Sequence, residues 1–116
     1  IMLALRLVLP AEPSTIVFDE VDAGIGGETA HSIGSSLKKL ASERQILVVT
    51  HLAQVAASAD TQIRVTKTDG NQRVGIEVEI LDDEQRVVEI SRMLSGSPDS
   101  ENARKHAKEL LEGFVE

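Results

Sequence analysis

The stretch Thr15-Ile-Val-Phe-Asp-Glu-Val-Asp-Ala-Gly-Ile-Gly-Gly27 constrains the fold of this chain more than any other. An apolar run ends abruptly in two adjacent carboxylates, and a glycine-rich turn follows. Ile16, Val17 and Phe18 read as a short strand buried on both faces, as strands of a parallel sheet are. Open α/β sheets hold ligands at the carboxyl ends of their strands, which is where Asp19 and Glu20 fall. A carboxylate pair at such a place suits a hydrated Mg²⁺ and an attacking water in nucleoside triphosphate hydrolysis.

The rest of the chain can be divided by the period of its apolar residues. Ala30, Ile33, Leu37, Leu40 and Ala41 recur at helical spacing, with Glu28 well placed near the N-terminus of a helix over 28–41. Gln45-Ile-Leu-Val-Val-Thr50 is a second apolar run. Strand, helix and strand make a βαβ unit with a parallel pair. A short alanine-rich helix over 52–59 follows. Residues 61–68 and 73–80 then alternate apolar and polar, as half-exposed antiparallel strands do, with Asp69-Gly70-Asn71 as a tight turn between them. Asp82 and Asp83 can cap a helix running to about Leu94, broken by Gly96-Ser-Pro98. A last helix runs from about Asp99 to Leu111. Residues 1–9 read as the end of a helix stopped by Pro10 and Pro13.

Composition narrows the class. The 116 residues suffice for one small domain, and an aromatic content of 2% leaves packing to aliphatic side chains, which favours layered α/β structure over a β-sandwich. A formal charge of −7 argues against nucleic-acid binding by the overall field. The absence of cysteine excludes disulfides and thiolate metal sites and fits a cytosolic protein. The opening Ile-Met-Leu-Ala-Leu-Arg-Leu-Val-Leu is too short to span a bilayer and lacks the basic leader and cleavage site of a signal peptide. It has no cap, as though cut from a longer helix, and a missing part would cover apolar surface that this piece leaves bare.

The chemistry-bearing residues gather at one place. If the two strands are neighbours and parallel, Asp19 and Glu20 share an edge with Thr50 and His51. His51 stands out by position, whereas His31 and His106 lie within helices and read as structural. Asp22 fits a turn and could also reach a partner molecule. Gly24-Ile-Gly-Gly27 invites a phosphate-loop reading, but Thr29 stands where the dinucleotide pattern needs a small residue, and no G-x-x-x-x-G-K-[ST] string occurs. These glycines suit a tight strand-to-helix turn. Arg64, Lys67 and Arg73, and Arg104, Lys105 and Lys108, are diluted by acidic neighbours and read as solvated faces.

Ile16-Val-Phe-Asp-Glu20 resembles the Walker B strand of ABC-type ATPase heads, Val21-Asp-Ala-Gly24 their D-loop, and Thr50-His51 the switch histidine on the next strand. With Val49-Thr-His-Leu-Ala-Gln-Val-Ala56, the fuller string Phe18 to Gly27 resembles the RecN family of bacterial SMC-like DNA repair ATPases. ABC transporters usually continue after Asp-Glu with Pro-Thr or Pro-Ser, so the residues after Glu20 discriminate. The likeness runs over nearly the whole chain, including Val88-Glu-Ile-Ser-Arg-Met-Leu94 and Ala103 to Leu111.

The resemblance implies that the chain is the C-terminal lobe of a P-loop NTPase head. Ile1-Met-Leu-Ala-Leu5 then matches the helix after the family's signature motif. It further implies that Asp19 orients Mg²⁺ through water, Glu20 polarises the attacking water and His51 senses the γ-phosphate beside Thr50. Asp22 would help couple two heads that sandwich ATP in a homodimer, and Asp22, Gly24 and Thr50 would join Asp19 in binding the nucleotide and its Mg²⁺. The full protein would act on DNA in double-strand break repair and recombination, in the bacterial cytoplasm at the nucleoid and without membrane partners. Without a phosphate-cradling loop and its lysine, the 116 residues alone are expected neither to bind ATP tightly nor to hydrolyse it. Other readings are the head of another SMC-like or ABC transporter ATPase, and a non-catalytic interaction module.

Overall fold

The computed structural model describes residues 15–19, 27–70, 73–97 and 99–114. The expected helix over 1–9, the carboxylate Glu20 and the turn carrying Asp22 and Gly24 lie outside them. β1 (Thr15–Asp19) and β2 (Gln45–Val49) pair in parallel, in register from Thr15 opposite Gln45 to Asp19 opposite Val49. α1 (Gly27–Ala41) is the crossover between them. Its buried Ala30 and Leu37, with Ile33 and Leu40, pack on Phe18, Ile16, Ile46 and Val48. This is the βαβ unit that the periodicity predicts.

α2 (Ala53–Ala57) follows β2 after a three-residue step and starts the second half of the chain. β3 (Ile63–Gly70) and β4 (Arg73–Ile80) form an antiparallel hairpin with Ile63 opposite Ile80 and Gly70 opposite Arg73. α3 (Asp83–Ser95) and α4 (Glu101–Glu112) close the chain. Asp82 makes a capping box at the start of α3: its Oδ1 accepts from the Gln85 N–H at 2.8 Å, and the Asp82 N–H donates to Gln85 Oε1 at 2.9 Å. Gly96 ends the same helix at φ 75°, a left-handed cap where a side chain would be strained. The Leu94-Ser95-Gly96 string is therefore a helix stop.

Two aliphatic cores result. One joins β1, β2, α1 and the Val55 side of α2; the other is made by Ala53, Ala56, Ala57, Ile90, Ala107 and Phe114. α2 belongs to both, so it ties the strands to the terminal helices. α1 approaches it so closely that a Cβ at Gly34 would lie 3.1 Å from the Gln54 carbonyl oxygen.

Two expectations need correcting. The parallel strands are covered on one face only: Phe18 is 5% exposed, but Val17 is 62% and Val49 56% exposed on the other face. Among the described residues, a single layer of helices packs on this pair. The hairpin was expected to be half-exposed, yet its apolar face is bare as well. Ile63, Val65, Val74, Ile76, Val78 and Ile80 are all more than half exposed, and among the described residues no other element approaches the hairpin backbone closely. It is tied to the body through Arg64, which bridges Glu79 of β4 and, at 3.8 Å, Glu89 of α3.

Candidate functional site

Because β1 and β2 are parallel neighbours, their carboxyl ends open onto one edge. Asp19 is the last residue of β1 and is exposed; it pairs with Val49, so Thr50 and His51 are the next residues on the adjoining strand. Neighbouring strands lie about 4.8 Å apart. Backbone pairing thus brings a carboxylate to the same sheet edge as the chain positions that carry a hydroxyl and an imidazole. Thr50 is half-buried and His51 exposed. The Thr50 Oγ1 accepts from the Leu52 N–H at 3.0 Å, which bends the chain from β2 into α2 and leaves His51 at the corner.

The support beneath this edge is apolar on one side and polar on the other. Phe18 lies buried immediately before Asp19, and Val55 of α2 is 2% exposed in the same cluster. From α3, the Arg86 guanidinium reaches the far end of α2. Its Nη2 has two N–H groups and donates to the carbonyls of Ala59 (2.8 Å) and Ala56 (3.3 Å), with Ala57 (3.5 Å) sharing the weaker bond, and its Nε donates to Gln62 Oε1 (3.2 Å). Burial pushes the Arg86 pKa down, partly offset by the nearby Asp83 and Asp60 carboxylates. Sequence reasoning missed Arg86. Its partners are backbone carbonyls 27 to 30 residues earlier in the chain, and nothing in local composition marks them.

The remaining candidates stand apart from this edge. His31 of α1 packs its ring on Phe114, centroid to centroid 4.8 Å and tilted by 34°, and His106 is exposed on α4. An open cleft of about 510 Å³ between α1, α2 and α4 is lined by Glu28, His31, Ser32, Gln54 and Leu110, none of them a candidate for the chemistry above. Glu89 is buried and held by Arg92 at 2.5 and 3.0 Å, with Arg64 beyond. These bonds push the Arg92 and Arg64 pKa values up, Glu79 being the main cause for Arg64.

Among the described residues no group of three or more His, Asp or Glu side chains could enclose a metal ion, and no helix is long and apolar enough to cross a membrane. The donor set at the edge, one carboxylate beside one hydroxyl and one imidazole, fits a hard cation that keeps most of its waters and a phosphate oxygen beside it. It does not fit a metal bound wholly by protein. Among the described residues nothing at the edge cradles a triphosphate chain.

None of the protein-family profiles matches the chain. Among curated proteins it is 51% identical over 114 residues to the DNA repair protein RecN of Streptomyces coelicolor, covering 97% of this chain and 20% of that protein. RecN of Deinococcus radiodurans is 50% identical over 113 residues, with the same shares covered. RecN of Treponema pallidum is 41% identical over 113 residues, 96% of this chain and 20% of that protein. Among solved structures, one from work on ATP-driven dimerization and DNA-stimulated activation of SMC ATPases superposes with a TM-score of 0.61 at 26% identity. The match covers 72% of this chain and 48% of that one. The fold is accordingly that of part of an SMC-type ATPase head, a P-loop NTPase. By its likeness over nearly every residue, the chain belongs to the RecN family of DNA repair proteins, of whose curated members it spans about a fifth.

Proposed function

We propose that this chain is the C-terminal lobe of an SMC-like ATPase head and supplies half of the ATP-hydrolysing site of a DNA repair protein. The observation that carries the proposal is the parallel register that pairs Asp19 with Val49, the residue just before Thr50 and His51. The RecN likeness and the SMC-type fold support the same reading.

In this reading Ile16 to Glu20 is the Walker B strand. Asp19 accepts hydrogen bonds from the waters of Mg²⁺ and so fixes their orientation. Glu20 accepts a hydrogen bond from the attacking water and polarises it. His51 donates toward the γ-phosphate, held at the corner by the Thr50 to Leu52 bond. Asp22 and Gly24 belong to a D-loop facing a second head in a homodimer. Mg²⁺, when bound with ATP, supplies the positive charge that the phosphate oxygens require. The phosphate cradle and its lysine come from outside this stretch, and the cycle of head closure and release is coupled to DNA in repair and recombination.

The test is Glu20→Gln in the full-length protein. An amide keeps the shape but is a far poorer proton acceptor, so ATP binding is retained while turnover falls by roughly 10²-fold or more. Near-normal turnover would remove Glu20 from the chemistry. The 116-residue chain alone is expected to show no ATP hydrolysis, and turnover by it would refute the half-site assignment.

A further inference from the structure

We propose that Arg86 is a positioning residue for His51: by clamping the carbonyl end of α2 it holds the Thr50–His51 corner at the sheet edge beside Asp19. This rests on the ATPase reading of that edge.

α2 is five residues long, far below the length at which a helix is stable by itself in water. The last carbonyls of any helix lack partners within it. Here the Val55 carbonyl is taken by the Ser58 N–H at 3.1 Å and the Ser58 Oγ at 2.6 Å, and the Ala56 carbonyl by the Ala59 N–H at 3.2 Å. Arg86 reaches the carbonyls of Ala56, Ala57 and Ala59 together and takes in Gln62 as well. The two N–H groups of Nη2, on Ala59 and on Ala56 with Ala57 sharing, and the Nε N–H on Gln62 fix direction as well as distance, which a lysine ammonium on a flexible stem cannot do.

The apolar support of α2 is thin by comparison. Three of its four buried residues, Ala53, Ala56 and Ala57, are alanines, each with a single methyl to bury. The clamp therefore has more to hold than it would under a leucine-rich helix. Its base is firm: Arg86 lies one turn after the Asp82 capping box and one turn before Ile90, which is fully buried. At the opposite end of α2, Thr50 Oγ1 holds the Leu52 N–H, and the Leu52 carbonyl accepts from Ala56 N–H at 3.0 Å. His51 sits immediately before this pinned turn. A shift of α2 along its axis would carry this pinned turn, and His51 with it.

The experiment uses the full-length protein and ATP, with kcat and KM read at steady state and slow variants followed in single turnover. Displacing a group by about 1 Å can cost up to about 10² in rate. Arg86→Gln is expected to lower kcat about tenfold with KM for ATP unchanged within about twofold, and Arg86→Lys to fall between it and the parent. The deciding measurement is the double variant His51→Ala/Arg86→Gln. If Arg86 acts through His51, Arg86→Gln changes the rate by less than about twofold once His51 is gone.

An equal drop in both backgrounds would mark Arg86 as a support of the fold alone and overturn the proposal, as would an unchanged kcat in Arg86→Gln. If His51→Ala by itself leaves turnover at the parental rate, the ATPase reading of the edge fails first and the proposal falls with it. Should far-UV circular dichroism show Arg86→Gln unfolded, Arg86→Lys decides by the same comparison: a fall in kcat that disappears beside His51→Ala supports the proposal, and one that persists overturns it.

Discussion

Ile90 and Ile80 make the same truncation under opposite conditions. Ile90 is fully buried in the core between Ala53, Ala56, Ala57, Ala107 and Phe114, whereas Ile80, at the end of β4, is 73% exposed. Ile90→Ala removes three carbons, whose transfer from water is worth about 2.4 kcal/mol. The buried neighbours are four alanines and Phe114, with Val87, Met93, Leu94, Leu110 and Leu111 packed on the same cluster, so collapse fills the hole only in part. A cavity contribution therefore adds to the transfer term and brings the cost to about 3.5–5 kcal/mol. Ile90→Val, which loses a single methyl, should cost about 1 kcal/mol. For Ile80→Ala only about a quarter of the side chain leaves contact, so the cost is about 0.6 kcal/mol. Urea unfolding followed by far-UV circular dichroism gives the differences from the midpoints at constant slope. A cost below about 1.5 kcal/mol for Ile90→Ala, or equal costs at the two sites, would refute the placement of Ile90 at the centre of the helical core.

Glu89→Ala leaves Arg92 and Arg64 facing each other across the vacated site. Breaking a buried pair costs about 3–5 kcal/mol, and about 2–3 is expected here because both arginines reach solvent; a loss under 1 would show the network idle. Since the bonded carboxylates push the Arg64 and Arg92 pKa values up, their contribution is complete below the ordinary guanidinium value and is lost only at strongly alkaline pH. The Glu89→Ala cost should accordingly be the same at pH 6 and pH 9. Asp82→Ala removes the acceptor for the Gln85 N–H and should cost about 1 kcal/mol in the same unfolding assay, with Asp82→Asn nearly neutral. Ser91 Oγ is fully buried and, among the described residues, has no hydrogen-bond partner, so Ser91→Ala should leave stability unchanged or raise it by up to about 1 kcal/mol; a loss of 2 would mean that the hydroxyl is satisfied.

The sequence carries what local chemistry dictates. The βαβ unit follows from two apolar runs separated by a helical period, and their parallel adjacency brings Asp19 to Thr50 and His51 without any contact having to be guessed. The Asp82 cap and the Gly96 stop are equally legible, since each is a residue type that its backbone position demands. Burial is not legible in the same way. An unbroken run such as Ile16-Val-Phe reads alike whether one face or both are covered, because cover is supplied by other elements. The alternation over 73–80 likewise states which face of the hairpin is apolar, not what lies on it. Arg86 was invisible for a different reason: apart from Gln62 Oε1, its acceptors are backbone carbonyls, which every residue has.

These features together separate the support of the site from the support of the fold. The helical core around Ile90 is enclosed by α2, α3 and α4, while the strands that deliver Asp19, Thr50 and His51 are covered on one face only. A two-stranded pair with a bare face is marginal by itself in water. Geometry at the edge must then depend on what the strands are fastened to, and within the described residues that is α1 on one side and α2 on the other. α1 acts through apolar packing, which resists separation but tolerates sliding. α2 is fixed at both ends by directional bonds, from Thr50 Oγ1 at one end and Arg86 at the other. Of the two, α2 is the element whose directional bonds can best fix the position of a side chain at the edge, as the proposed role in phosphoryl transfer would require.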